Sequence, residues 1–286
     1  MKILNGKDLA GFIKEKQAHQ VRQLKADGIT PKLLIIRDSD NPVIMKYVTL
    51  KKQYGEDIGV IVEDFDAVKS LTEPFTDENN RDVKSSTKPF TQIRHAIEQK
   101  IHEANADKTI HGIIVQLPLA SVPKEELDSL LSQIAIEKDV DGLTGQADTA
   151  TATAINWLLA GHNIDLADKK IAIVGRGRLV GAPLIRMWQN SGYDVTVFGH
   201  DGDLTQLRDF DVIVSATGVP HLITSKMIKP GTVIVDAGTA SEDGVIVGDV
   251  DEAVRNRSDL SAITPKLGGV GPLTVCALFD GILKEL

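Results

Sequence analysis

The chain has 286 residues, 42% hydrophobic and 25% charged, which suits about two globular domains and argues against wholesale disorder. Its net charge of −8 argues against a broad surface for nucleic acid or an anionic membrane. The single cysteine, Cys276, excludes an intrachain disulfide scaffold and a cysteine-rich zinc site.

The opening Met1-Lys2-Ile3-Leu4-Asn5-Gly6 is broken by charge and glycine before a signal-peptide core can form. No apolar run nears the roughly 20 residues of a membrane span, and the closing Ile282-Leu283-Lys284-Glu285-Leu286 carries no lipidation motif. These features predict a soluble cytoplasmic protein. Residues 9–24 predict a helix with Lys14, Lys16 and Arg22 on its charged face. Leu33-Leu34-Ile35-Ile36 reads as a buried parallel strand, residues 43–58 as a helix, and Val60-Ile61-Val62 as a second strand. Residues 73–89 are polar and read as an exposed excursion. Residues 92–104 predict a helix, and Gly112-Ile113-Ile114-Val115 a strand closed by Gln116-Leu117-Pro118.

The alternation continues with strands at 170–174, 194–198, 212–214 and 233–235, and helices at 179–190 and 274–283. It predicts an α/β protein: an N-terminal domain over residues 1–145 and a Rossmann-like, parallel-sheet domain over residues 146–271. The last helix, within residues 272–286, packs back on the first domain. No internal repeat and no long linker is visible.

Ile171-Ala172-Ile173-Val174 leads into Gly175-Arg176-Gly177-Arg178-Leu179-Val180-Gly181. Glycines let a backbone turn sharply and approach a pyrophosphate, and the following helix N-terminus attracts the anion. The spacing is one residue longer than the usual fingerprint, so the strand-to-helix context carries the assignment. Arg176 and Arg178 suit an adenosine 2′-phosphate. Asp201, after Phe198-Gly199-His200, suits ribose hydroxyls and repels that phosphate. The first pair favours NADP and the second feature NAD. Elsewhere, Tyr47 and Lys51 share a helix face, and Gln116 stands at a strand end where open sheets bind ligands. His111, beside a buried strand, reads as a packed residue, Cys276 as a small core residue, and no histidine pair has metal-ligand spacing.

Several segments are specific in combination. They are Tyr47-x-x-x-Lys51, His111 through Leu119, Lys138-Asp139-Val140-Asp141-Gly142-Leu143, Gly175-Arg176 with Val180-Gly181-Ala182-Pro183, and Gly268-Gly269-Val270-Gly271-Pro272-Leu273-Thr274. Their order over nearly the whole chain resembles the bifunctional methylenetetrahydrofolate dehydrogenase/cyclohydrolase family. The resemblance implies a homodimer of one-carbon metabolism serving purine biosynthesis, with folate in a cleft between a catalytic and a Rossmann-like domain. It implies NADP, the family default, or NAD, and no metal, nucleic acid or membrane.

By the same resemblance Lys51 is the key catalytic residue, hydrogen-bonded by Gln116. Tyr47 stacks on the pterin, and Asp141 accepts from its amine and ring N–H. Gly271, Pro272 and Thr274 line the substrate side. Gly175, Arg176, Gly177, Gly181, Asp201 and Thr151 serve the cofactor. The dehydrogenase step needs alignment more than a proton acceptor, whereas ring opening needs proton management. A base role requires Lys51 to be partly neutral. Bringing a lysine pKa from about 10.4 to near 7 costs roughly 4–5 kcal/mol, which burial and a cationic intermediate can supply.

The chain also departs from the family. Ile44 stands where a serine is usual, Thr149-Ala150-Thr151-Ala152 replaces a Pro-Cys-Thr-Pro loop, and Gly177 replaces a serine. Gly199-His200-Asp201 replaces a His-Ser-basic segment. These changes predict a divergent member with altered cofactor choice and altered cyclohydrolase efficiency. Two alternatives stay open: a non-catalytic folate- or nucleotide-binding paralogue, and an oxidoreductase acting on another small acid.

Overall fold

The computed structural model describes residues 1–71, 75–76, 82–83, 90–242 and 245–286. In chain order the elements are β1 (Lys2–Ile3), α1 (Gly6–Ala26), β2 (Lys32–Arg37), α2 (Pro42–Ile58), β3 (Ile61–Asp66), β4 (Phe75–Thr76), β5 (Asp82–Val83), α3 (Phe90–Ala106) and β6 (Gly112–Val115). They continue with α4 (Lys124–Leu131), α5 (Ala150–Gly161), β7 (Lys170–Val174), α6 (Gly181–Asn190), β8 (Asp194–Phe198), β9 (Val212–Ser215), β10 (Val233–Asp236), β11 (Ala240–Glu242), β12 (Val245–Val247), α7 (Glu252–Arg255), β13 (Ala262–Ile263) and α8 (Val270–Lys284).

The chain divides into two compact units. One comprises residues 15–147 and 278–286, the other residues 1–14 and 148–277. The break at 147/148 lies two residues from the boundary read in the sequence. The N-terminal stretch differs from that reading, because it belongs to the second unit. Pairing explains this: Lys2–Ile3 adds a parallel strand beside Ala262–Ile263, and Leu4 is fully buried. The last helix contributes residues to both units.

In the first unit, β3, β2 and β6 form a parallel sheet in that order. The apolar run of β2 is buried on both faces, as a strand under flanking helices requires. β3 extends four residues past the predicted Val62. Glu63, Asp64 and Asp66 look like loop residues in sequence, but they pair with Lys32, Arg37 and Lys52. Arg37, itself buried, is bonded by both Asp64 and Asp66. Truncating such an arginine would leave Asp64 with Lys52 alone and Asp66 with Lys69 alone. Most of the polar excursion at 73–89 lies outside the described residues; Phe75–Thr76 and Asp82–Val83 pair antiparallel.

The second unit carries a parallel sheet of order β1-β13-β10-β9-β7-β8. Its core gathers Ala172, Val174, Ile213, Ile234 and Ile263 from the strands with Phe198 and Phe210, whose rings meet edge to face at 5.5 Å. Two segments differ from the sequence reading. Residues 150–161 form a helix where the sequence reading places no element, and Thr149 caps it by accepting from Ala152 N at 3.2 Å. The last helix starts at Val270, four residues early, because a proline such as Pro272 is tolerated in a first turn. Among the described residues no helix is long and apolar enough to cross a membrane.

Candidate active site

α2 begins where the Asn41 side chain accepts from Val43 N at 2.9 Å and Pro42 presets the first turn. It ends at Gly59, whose φ of 90° closes the helix in the left-handed region. The glycine inside it, Gly55, has a packing reason: a Cβ there would collide with Val62 and crowd Phe279. Helical spacing puts Ile44, Val48, Lys51 and Gly55 on the buried face. Ile44 is buried there as an apolar residue, so the face carries no hydroxyl one turn before Tyr47.

Lys51 is 8% exposed, and its ammonium nitrogen lies 2.7 Å from Gln116 Oε1. Gln116 follows β6 at the carboxyl edge of the sheet and is held by Ile36, whose carbonyl accepts its backbone N–H at 2.8 Å. Its amide donates to the Leu117 carbonyl at 3.1 Å, which orients Oε1 toward Lys51. Burial lowers the Lys51 pKa, and the negative charge of Asp141 opposes that shift. Tyr47 is half-buried one turn before Lys51. The unit thus brings Lys51, Gln116 and Asp141 together, with Tyr47 on the same helix.

The Lys-Asp-Val-Asp-Gly segment divides its labour. Lys138 donates to the carbonyls of Ala104, Asn105 and Asp107 at 2.7, 2.9 and 2.7 Å, closing the carboxyl end of α3. Asp139 accepts from the backbone N–H of Leu143 and Thr144, both at 2.8 Å, and from the Thr144 hydroxyl at 2.7 Å. Gly142 takes a φ of 64° at the turn. Lys138 and Asp139 therefore build the turn that presents Asp141. His111 Nδ1 accepts from Lys32 N at 3.1 Å, and burial lowers its pKa, so it packs as a neutral ring.

In the second unit, β7 runs into Gly175, whose φ is 103°. A Cβ on Gly175 would stand 2.5 Å from the Ala216 carbonyl oxygen, and one on Gly181 would collide with the Gly175 carbonyl. The backbone can follow this path only with glycine at both places. Arg176 and Gly177 are exposed on the loop. Thr149 ties this loop to α5, donating to the Leu179 carbonyl at 2.8 Å. Thr151, which the resemblance assigns to the cofactor, stands in the first turn of α5. Thr149→Val should lose about 1 kcal/mol through the lost cap, read as a lower Tm with weaker nucleotide binding.

Asp201 is fully exposed, three residues past the end of β8, with His200 Nδ1 at 3.5 Å. Gly268 and Gly269 pack against Lys7 and Gly6, so that pair is explained by close approach. Gly271, Pro272 and Thr274 stand in the first turns of α8; nothing crowds Gly271. Cys276 is fully buried in that helix. Sequence reasoning missed a cluster of Asp236 at the end of β10, Asp249 after β12 and Arg255 at the end of α7; its only signal was an aspartate directly after an apolar run. Among the described residues, no group of three or more His, Cys, Asp or Glu side chains gathers as a metal site would require.

Comparison with known proteins agrees with both units. Residues 4–141 match the tetrahydrofolate dehydrogenase/cyclohydrolase catalytic domain, and residues 149–286 the NAD(P)-binding domain of the same family. The bifunctional protein FolD of Lactobacillus acidophilus is 35% identical over 298 residues, covering 99% of this chain and 96% of that protein. The crystal structure of the Campylobacter jejuni bifunctional FolD methylenetetrahydrofolate dehydrogenase/cyclohydrolase is 32% identical, with a TM-score of 0.83 over 100% of this chain and 98% of that one. The Trypanosoma brucei N5,N10-methylenetetrahydrofolate dehydrogenase-cyclohydrolase, complexed with NADP cofactor and inhibitor, is 27% identical, with a TM-score of 0.81 over 99% and 96%.

Proposed function

The chain belongs to the tetrahydrofolate dehydrogenase/cyclohydrolase family, and from that premise we propose how its own residues carry both activities. It oxidises 5,10-methylenetetrahydrofolate to the 5,10-methenyl cation with a nicotinamide dinucleotide, then hydrolyses the cation to 10-formyltetrahydrofolate. The observation that carries this reading is Lys51, buried, bonded to Gln116 and within the field of Asp141.

The nucleotide loop fits a dinucleotide. Gly175 and Gly181 keep open a strand-to-helix turn that side chains would fill, and α6 starts directly behind it. Bound there, a nicotinamide supplies the acceptor for the hydrogen that leaves the one-carbon bridge with its bonding pair. The chain's part in that step is alignment. Tyr47 offers a ring face to the pterin, and Asp141 accepts from its amine and ring N–H. Gly271, Pro272 and Thr274 bound the folate.

In the second step Lys51 acts in its neutral form. One of its N–H bonds points to Gln116 Oε1, which leaves the nitrogen lone pair for a water molecule. The water oxygen bonds to the methenyl carbon as Lys51 takes the proton. The C–N5 bond then breaks, N5 receives a proton, and the hydroxyl proton leaves as the formyl carbonyl forms. One proton is released in net, which balances the charge of the cation. Ile44 provides no hydroxyl beside this centre, so Lys51 and Gln116 carry the proton handling.

Arg176 suits a 2′-phosphate and Asp201 opposes it. The reading extends to a cytoplasmic homodimer, whose dimeric state a molar mass from light scattering would check. The functional test is absorbance of purified chain with 5,10-methylenetetrahydrofolate, run in parallel with NAD and NADP. Turnover is expected. A preference for NADP would assign Arg176 as the determinant, and a preference for NAD would assign Asp201. Folded chain without turnover on either would overturn the dehydrogenase reading.

A further inference from the structure

Two buried carboxylates, Asp236 and Asp249, lie together near the carboxyl ends of β9 and β10, and Arg255 pairs with the first of them. Asp249 has no exposed surface. Its Oδ2 accepts from the Ser215 hydroxyl and from Thr217 N, each at 2.7 Å. Its Oδ1 is buried without a hydrogen-bond partner, and it lies where the Cβ of any larger residue at Gly238 would fall. Asp236 accepts from Asp249 N at 3.0 Å, Val250 N at 3.1 Å and Gly238 N at 3.2 Å, and it pairs with Arg255. A buried carboxylate with an idle oxygen is costly, and burying a second beside it is more so. Core packing alone does not call for that arrangement.

The bonds to Asp249 Oδ2 have a definite load. They hold both ends of Ser215-Ala216-Thr217, the turn that follows β9. Val219 N donates to the Thr217 hydroxyl at 3.1 Å and rounds the turn off. The carbonyl of Ala216, in the middle, is the group that a Cβ on Gly175 would meet at 2.5 Å. Ala216 N in turn donates to the Val174 carbonyl at 2.8 Å, just before that glycine. The turn therefore forms one wall of the Gly175 loop, and Asp249 fastens it from behind.

We propose that Asp249 is a positioning residue for the dinucleotide, acting through Ser215 and Thr217 to set the Ala216 carbonyl against the Gly175 loop. The inference rests on the reading of that loop as the nucleotide site. A charged acceptor holds two donors more tightly than a neutral one, which gives the buried carboxylate its purpose. An asparagine keeps the shape but offers a neutral oxygen, and it puts an amide N–H where the idle oxygen lies.

The test uses the full chain and Asp249→Asn, with Ser215→Ala as a milder variant that removes one donor. Each is titrated calorimetrically with NAD and with NADP, and assayed for both activities. Asp249→Asn is expected to raise the Kd and KM of the preferred nucleotide about tenfold, equivalent to roughly 1.4 kcal/mol. Ser215→Ala is expected to raise them less. Ring opening of the methenyl substrate, which uses no nucleotide, is expected to stay within about twofold. Unchanged nucleotide affinity in Asp249→Asn would overturn the proposal. So would a fall in ring opening in proportion to the loss of nucleotide binding, since that is the mark of general damage. Wild-type chain that binds nucleotide without turning over folate would count against the functional reading, while the comparison of Kd values would still decide this one.

Discussion

Lys51→Gln is expected to lower ring opening by about 10²–10⁴-fold, the usual range for a positioned proton acceptor, while hydride removal falls far less. The split follows from the chemistry: oxidation of the bridge leaves no proton to collect, and water addition does. The lysine is also the group whose pKa the fold has lowered, through burial. Asp141 raises that pKa by its charge. Asp141→Asn should therefore shift the acid limb of the ring-opening profile to lower pH, alongside weaker folate binding. The stability effect has the opposite sign. Below its folded pKa a buried lysine is charged at a cost that the unfolded chain does not bear. Folded Lys51 releases its proton at lower pH than unfolded Lys51, so stability rises with pH between the two values. Lys51→Met should raise Tm, and by more at pH 6 than at pH 10. Equal loss of both activities in Lys51→Gln would refute the base role.

Much of the fold is legible in continuous apolar runs. Val212-Ile213-Val214 and Val233-Ile234-Val235 are each one residue short of the strand observed. Such runs are buried on both faces, and little else explains them. The sequence is less informative where polar residues continue a strand. Glu63 through Asp66 belong to β3 only because cations from β2 and α2 meet them, and no periodicity shows that. Capping was equally silent: Thr149 starts a helix that no apolar periodicity marks.

The candidate site divides in the same way. Lys51, Gln116 and Asp141 lie 25 to 90 residues apart in sequence, and only their joint resemblance to a family pattern proposed them as a set. The structure adds the reason each is where it is. Lys138 and Asp139, which stand in the same segment as Asp141, prove to be its scaffold. Asp236, Asp249 and Arg255 gave no such pattern, because their meeting depends on the end of β10, the segment after β12 and the end of α7 converging. Side chains that act through backbone N–H groups leave little periodicity to read.

Arg255→Met is expected to destabilise the chain by about 3–5 kcal/mol near neutral pH, the cost of leaving a buried charge without its partner. Asp236 is that charge. Burial raises its pKa, and Arg255 together with the Asp249 and Val250 N–H groups acts against the rise. The arginine also donates to the Thr264 carbonyl at 2.8 Å, so its loss frees the chain just after β13 as well. The pH dependence separates these two effects. Removing Arg255 raises the Asp236 pKa further above its unfolded value. Between those values the folded chain holds a proton that the unfolded chain has lost, so stability falls as pH rises. The deficit of the variant in urea unfolding should therefore be larger at pH 8 than at pH 5. Adding Asp236→Asn should recover part of the loss at pH 8, because the buried charge is then gone, and should recover little at pH 5. A deficit that is the same at both values would assign the whole effect to the Thr264 contact.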